Sequence, residues 1–113
     1  MKEPITWTDF AKVDMRAGTI VEVQDFPEAR NPAYKLFIDF GEEVGMKKTS
    51  AQITSLYQKE ELVGKQVIAV VNFPPKQIAN FMSECLVLGV LGKGKEVILL
   101  QPGKDVENGW KVG

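Results

Sequence analysis

Histidine is absent from the chain, and cysteine occurs only once, at Cys85. Ser-His-Asp triads, Cys-His pairs and His-ligated metal sites all require histidine, and a thiolate cluster or an intramolecular disulfide requires a second cysteine. These kinds of catalytic and metal centre are therefore excluded. Because a single unpaired cysteine is typical of a reducing compartment, the composition predicts a cytoplasmic protein that is not an enzyme and holds no cofactor or metal.

Long apolar runs and a large net charge are also missing. Met1 to Pro4 lead into no apolar stretch of signal-peptide length, and the longest apolar run, Val67 to Val71, is far shorter than the roughly 18 residues that cross a membrane. The net charge of −1 creates no overall electrostatic attraction to nucleic acid or to a lipid surface. We therefore expect no membrane insertion. Residues 44–83 contain five lysines and two glutamates, so we expect any anion contacts in this segment.

The 113 residues contain no repeat or linker and suffice for one domain over residues 1–113. Alternation of apolar and polar residues predicts the strands, and a polar segment predicts a small helix between the third and fourth. The five predicted strands cover residues 14–24, 34–40, 45–51, 66–72 and 84–91, the helix lies within 55–62, and residues 96–100 follow in a C-terminal hairpin extension.

This order of elements predicts an all-β fold, the five-stranded Greek-key barrel called the OB-fold, with a short N-terminal helix added. A Greek-key sandwich is the alternative, but it would usually need about seven strands. Gly18, inside the first strand, predicts a bulge that lets Ile20 and Val21 both face the core. Arg16 is expected to pair with Asp14 or with another carboxylate.

Both ends of the chain carry apolar residues that a five-stranded barrel does not need. At the N-terminus, Thr6 is the predicted N-cap of the short helix, and Trp7 and Phe10 share one face of it. That face needs cover from either the barrel or a second subunit. Trp110 and Val112 form the corresponding surplus in the tail, and surplus apolar surface favours self-association.

Several stretches resemble the tRNA-binding-domain family of OB-folds. They are Asp14 to Ile20, Thr49 to Thr54, Gly64 to Val67, Asn72 to Lys76 and Ser83 to Leu86. Within that family the chain is most similar to the CsaA-type secretion chaperones, through Phe26 to Arg30, Lys35-Leu36, Ile38 to Gly41 and Val70 to Pro75. Gln77 stands where the synthetase-appended domains commonly have a second basic residue, which favours the chaperones.

The resemblance implies a homodimer assembled through the N-terminal helix, residues 1–13, and the extension, residues 92–113. It also implies binding of unfolded or export-competent precursor polypeptides, contact with the export machinery and, as a competing function, binding of tRNA. We therefore interpret the chain as a cytoplasmic, non-catalytic chaperone for secretory precursors. A tRNA-binding module that recognises shape and backbone is the alternative.

The candidate ligand-binding residues surround the Phe73-Pro74-Pro75 turn, because the loop between strands four and five of an OB-fold borders the ligand groove. Asn72 and Lys76 flank this turn and are suited to phosphate oxygens or peptide carbonyls; otherwise Asn72 satisfies turn backbone and Lys76 is solvated. Ser83 either donates to the same ligand or caps strand five.

Aromatic and thioether side chains complete the candidate site. Phe37, Phe73, Phe81 and Met82 are assigned to an apolar concavity, because such surfaces tolerate varied peptide side chains. The same rings suit base stacking in an RNA groove. Core packing is the alternative for Phe81.

Overall fold

Strands form the body of the molecule, and its helices have only four or five residues. A computed structural model describes residues 1–113. The helices are α1 (Trp7–Ala11), α2 (Gly41–Val44) and α3 (Lys59–Leu62). The strands are β1 (Met15–Asp25), β2 (Tyr34–Asp39), β3 (Met46–Ala51), β4 (Gln66–Val70), β5 (Lys76–Ile78), β6 (Phe81–Ser83), β7 (Leu86–Val87), β8 (Gly89–Leu91) and β9 (Val97–Leu99). None of the helices is both long and apolar enough to cross a lipid bilayer.

The main sheet is antiparallel, with the strand order β3-β2-β1-β4-β7. It curls until β3 meets the segment that enters β7, where the Glu84 N–H donates to the Lys48 carbonyl at 2.8 Å. The Thr49 hydroxyl donates to the Cys85 carbonyl at 2.7 Å beside it. The result is a nearly closed five-stranded barrel of the OB type, as the sequence predicts. Beyond this contact, the edge of β3 and the edge of β7 separate.

The strand bulge lies three residues beyond Gly18. The β1–β2 register shifts between Ile20 and Glu22, which leaves Val21 as the extra residue. Ile20 is fully buried whereas Val21 is exposed, so the expectation that both face the core is wrong. Gly18 has a different role, because a Cβ there would lie 2.6 Å from the Phe40 ring.

The core fills the barrel with side chains from every main strand. Its fully buried members include Ile20, Leu36, Ile38, Phe40, Leu62 and Val67. Leu62 comes from α3, so this short helix covers one end of the barrel. A second, smaller cluster of Phe26, Ala33 and Phe81 lies outside the main core.

α1 begins as the sequence predicts, but it buries none of its side chains. The Thr6 hydroxyl accepts from the Asp9 N–H at 3.1 Å, and the Asp9 carboxylate accepts from the Thr6 N–H at 3.3 Å, which is the expected capping box. None of the helix residues is buried, and Trp7 is 88% exposed. The barrel therefore leaves Trp7 uncovered and does not bury the apolar face of α1.

The C-terminal tail runs along the first part of β1. The Ala17 N–H donates to the Trp110 carbonyl at 3.0 Å, and the Gly109 N–H donates to the Ala17 carbonyl at 2.8 Å. A third bond joins the Val112 N–H to the Met15 carbonyl at 2.9 Å. The tail is thus held through its backbone, while the Trp110 side chain stays 55% exposed.

Arg16 fastens this tail to two carboxylates. Its Nε lies 2.6 Å from Asp14 Oδ1 and its Nη2 lies 3.0 Å from Glu43 Oε2, while Nη1 donates to the Gly109 carbonyl at 3.0 Å. The guanidinium lowers the pKa of Asp14 and of Glu43 through these hydrogen bonds. The expected pairing of Arg16 is confirmed, and it serves the scaffold.

Candidate binding groove

An open groove of about 850 Å³ lies where the barrel is not closed. Its sides are the end of β3, the Phe73-Pro74 turn with β5, and the chain from β7 through β9. Eleven of its eighteen lining residues are hydrophobic, so the groove presents mainly apolar surface. The lining comprises Thr49, Ser50, Ala51, Gln52, Ile53, Phe73, Pro74, Lys76, Ile78, Ser83, Cys85, Leu86, Val87, Leu88, Gly89, Leu91, Val97 and Leu99.

One wall is a small hairpin that local sequence patterns did not predict. β5 and β6 pair from Lys76 opposite Ser83 to Ile78 opposite Phe81. The two-residue turn between them places Ala79 at a φ of 53°, a left-handed conformation that glycine normally supplies. The hairpin holds Lys76 and Ile78 at the side of the groove.

The floor is built around hydroxyl groups and a buried thiol. Ser83 Oγ lies 2.8 Å from Thr49 Oγ1 and accepts from the Ser50 N–H at 3.2 Å. These bonds tie β6 to β3 across the floor. Burial raises the pKa of the neighbouring Cys85 thiol to about 12, so this group is neutral and unreactive at physiological pH.

The predicted binding residues divide between this groove and other parts of the fold. Phe73, Lys76 and Ser83 line the groove. Asn72 lies outside the lining, and its side chain accepts from the Asp14 N–H at 3.0 Å and donates to the Lys12 carbonyl at 2.7 Å. It therefore joins the end of α1 to the end of β4.

The other predicted aromatic residues cluster on the outer face of β2 and β3. Phe81 is only 6% exposed, and its ring stands edge-on to Phe26 at 5.4 Å and to Phe37 at 6.4 Å between centroids. Met82 is partly exposed and pairs with Gln77 in the hairpin, outside the groove lining. The structure thus separates Phe37 and Phe81 from Phe73.

Two lysines cover this outer aromatic cluster. Lys35 Nζ lies 4.9 Å from the Phe26 centroid and 5.2 Å from that of Phe81, and Lys48 Nζ lies 5.0 Å from Phe81. These distances suit cation–π contacts. Sequence reasoning missed Lys35 as a member of the cluster, although alternation puts it on the same face of β2 as Phe37. We call Phe26, Lys35, Phe37, Lys48 and Phe81 the outer aromatic face.

Most of the apolar groove residues lie outside the predicted site, which combined the double-proline turn with Phe37, Phe81 and Met82. The available signal was the run from Leu86 to Leu88, which is apolar on both faces and indicates that both faces of strand five have neighbours. No group of three or more acidic or cysteine side chains is placed to hold a metal ion.

An OB-type barrel with an open apolar groove defines a small binding domain, and comparison with known proteins agrees with this class. Residues 15–111 match the family described as putative tRNA binding domain. The chain belongs to this family, which is a binding rather than a catalytic one.

Within the family the chain is of the CsaA type. It is 50% identical to the chaperone CsaA of Bacillus anthracis str. Ames, with a TM-score of 0.94 over 98% of this chain and 100% of that one. It is 57% identical to the CsaA chaperone protein of Picrophilus torridus, with a TM-score of 0.91 over 97% of this chain and 100% of that one.

Curated relatives include much longer enzymes. The methionine–tRNA ligase of Nanoarchaeum equitans (strain Kin4-M) is 40% identical over 108 residues, which are 96% of this chain and 13% of the ligase. The chain spans 13 to 15% of the length of the first such relatives. The similarity therefore concerns one domain of these ligases.

Proposed function

We propose that the chain is a cytoplasmic chaperone that binds unfolded or export-competent precursor polypeptides as a homodimer. The observation that carries this proposal is the open apolar groove of about 850 Å³. Hydrophobic contact is non-directional and needs no fixed client sequence, which suits a protein that must hold many precursors. The similarity to two CsaA chaperone structures supports the same function.

The charge pattern of the groove also favours unfolded polypeptide. Lys76 is the one charged residue in the lining, and its other polar side chains are three hydroxyls and the Gln52 amide. Apolar contacts therefore dominate the expected binding energy, and simple ions screen them little. Handing the client to the export machinery belongs to the proposal through the resemblance to secretion chaperones alone.

The homodimer is proposed from apolar surface at both ends of the chain. Trp7 is 88% exposed, Phe10 37%, Trp110 55% and Val112 37%. Exposed apolar surface of this kind typically marks a contact with another molecule. We propose that residues 1–13 and 92–113 form the contact between two copies. The location in the cytoplasm rests on the single unpaired Cys85.

A tRNA-binding module is the second candidate, and the outer aromatic face favours it. This surface combines two lysines with aromatic rings on β2 and β3, the strands with which OB-folds commonly bind oligonucleotides. The family description and the similarity to methionine–tRNA ligases support it too. The net charge of −1 weighs against it, because affinity for nucleic acid depends on neutralising phosphates.

A salt titration distinguishes the two functions. The dissociation constants of a fluorescent, permanently unfolded polypeptide and of labelled tRNA are measured between roughly 50 and 200 mM salt. We expect micromolar or tighter polypeptide binding that changes less than about twofold over this range, whereas phosphate contacts would make log K fall linearly with log salt. Binding of tRNA at micromolar strength at physiological salt, without binding of the polypeptide, would show that the chaperone proposal is wrong.

Two variants assign each ligand to its surface. Leu91 lines the groove and is 79% exposed, so Leu91→Glu is expected to weaken polypeptide binding about tenfold or more with little effect on folding. Leu56→Glu is the matched control, because Leu56 is 46% exposed and lies outside the groove. Lys48→Gln should leave polypeptide binding unchanged and weaken any tRNA binding.

A further inference from the structure

One edge of the chain from Val87 to Leu91 has no partner strand. β7 pairs with β4, and the Leu88 N–H donates to the Ile68 carbonyl at 2.9 Å. The Leu88 carbonyl accepts from the Leu100 N–H at 3.1 Å, and the hairpin then continues through β8 and β9. β4 and β9 therefore lie in succession on the same side of this chain.

The opposite side of the chain is the free one. In an antiparallel ladder, alternate residues direct both backbone groups to the same neighbour, and the residues between them direct theirs to the other side. The backbone N–H and C=O groups of Leu88 point to β4 and β9. The N–H and C=O groups of Val87, Gly89 and Leu91 therefore point away from these strands. All three residues line the groove, so the unpaired edge faces into it.

The other wall of the groove also offers unpaired backbone. Gln52 follows the end of β3 and lines the groove, whereas the N–H of the nearby Ser50 is already held by Ser83 Oγ at 3.2 Å. No hydrogen bond within the protein reaches the backbone N–H or C=O of Gln52. Apolar, unprotected strand edges of this kind are templates for pairing with another chain.

We propose that the groove binds its client as an added β-strand, paired through backbone hydrogen bonds with the edge at Val87, Gly89 and Leu91. This inference rests on the proposed chaperone function and specifies its binding mode. Backbone pairing supplies affinity that does not depend on the client's side chains, as in other cases of strand addition. The unpaired backbone of Gln52 on the facing wall favours an extended client segment, which can form hydrogen bonds to both walls.

The size and charge of the groove define the segment that fits. A strand in a packed sheet occupies about 4.8 Å by 10 Å in cross-section and advances about 3.4 Å per residue, so it fills roughly 160 Å³ per residue. The groove of about 850 Å³ therefore holds about five residues. With Lys76 as its one charge, the groove takes an apolar, extended segment that carries a carboxylate at the Lys76 end.

Amide hydrogen exchange of the full chain tests the binding mode. The probe is a blocked octapeptide in which valine alternates with serine and one end residue is glutamate. On binding, exchange of the Val87, Gly89 and Leu91 amides should slow about tenfold or more, while the Val90 amide, already paired with β9, should change little. The alternation of these responses along one strand distinguishes backbone pairing from contact through side chains.

Two chemical changes provide independent measurements. The same peptide with three alternate amides N-methylated should bind about tenfold or more weakly, because it has lost the donors that the ladder needs. In the protein, Val87→Pro removes an N–H that makes no bond to β4, whereas Val87→Thr keeps it. The proline variant should lose affinity about tenfold relative to the threonine variant, with thermal unfolding measured for both.

The other possible results of these experiments separate failure of the binding mode from failure of the chaperone function. If the peptide binds without slowing exchange at Val87, Gly89 and Leu91, strand addition is overturned and the chaperone function stands. If neither the octapeptide nor the unfolded polypeptide binds, the chaperone function fails and the inference fails with it. If these amides are protected in the free protein and lose protection on dilution, a second copy occupies the edge, and the inference is wrong.

Discussion

Replacing Trp7 by alanine tests whether the exposed end of α1 is buried between two copies of the chain. The side chain is 88% exposed and no residue of α1 is buried, so its loss removes almost nothing from the protomer itself. We therefore expect the free energy of unfolding of the isolated protomer to change by less than about 0.5 kcal/mol.

The expected effect on dimerisation is much larger. A covered tryptophan buries about 200 Å², which corresponds to about 5 kcal/mol at 25 cal/mol/Å² and is an upper estimate. Truncation of a central interface tryptophan typically costs at least about 2 kcal/mol, and a twofold dimer contains two copies of Trp7. The combined loss of about 4 kcal/mol raises the dissociation constant of the dimer about a thousandfold.

Sedimentation equilibrium over a range of concentrations measures this constant. The wild type should sediment as about twice the chain mass of 12.6 kDa, and Trp7→Ala should sediment as the single chain. Leu56→Ala is the control, because Leu56 is also an exposed apolar residue, at 46%, but lies outside both ends of the chain. The reasoning is refuted if the wild type is monomeric at micromolar concentration, or if Trp7→Ala changes the dissociation constant less than about threefold.

Three further predictions concern stability and reactivity. Gly18→Ala should lower the free energy of unfolding by about 2 kcal/mol in urea titration, because its Cβ would overlap the buried Phe40 ring; Gly103→Ala, with open space around it, should change it by less than about 1 kcal/mol, and equal effects would refute the close approach. Ala79→Gly should raise the urea midpoint by removing about 1 kcal/mol of left-handed strain, and an unchanged or lower midpoint would contradict that conformation. Cys85, with its raised pKa of about 12, should resist alkylation at pH 8 until denaturant is added, and rapid labelling of the native protein would disprove its burial.

The Arg16 ion pairs make stability depend on pH. The lowered pKa of Asp14 means that the folded chain favours its carboxylate more than the unfolded chain does. Its contribution to stability is therefore complete above the unfolded value near 3.8 and is lost as the pH falls through the folded value. Urea midpoints measured from pH 7 to below pH 4 should fall more steeply in the wild type than in Asp14→Asn, and parallel curves would contradict this.

Alternation along the chain predicted the first four main strands within two residues of their ends. Each of these strands has a regular apolar face that fits only one orientation in the barrel, so local pattern suffices. The fifth strand was predicted as one segment, 84–91, but it divides into β7 and β8 at Leu88. The division arises because the chain leaves β4 there and pairs with β9, and a local pattern carries no information about a change of partner.

The β5–β6 hairpin shows the same limit. Its strands are only three residues long and follow two prolines, so no alternation marks it, and its turn contains Asn80 but no glycine. Yet this hairpin decides that Lys76 borders the groove while Phe81 packs on Phe26. The sequence identified the double-proline region as important, but not which side chains point to the same surface.

The amino-acid sequence by itself determined the class of the protein: the missing histidine and the single cysteine excluded common catalytic centres, and the strand order and family motifs indicated an OB-type binding barrel. Only the tertiary structure decided where binding surface is available. The groove and its free edges arise because β3 and β7 meet at one end and separate at the other. The end at which they meet is held by bonds between residues more than thirty positions apart, such as Thr49 and Cys85, and no local pattern encodes such bonds.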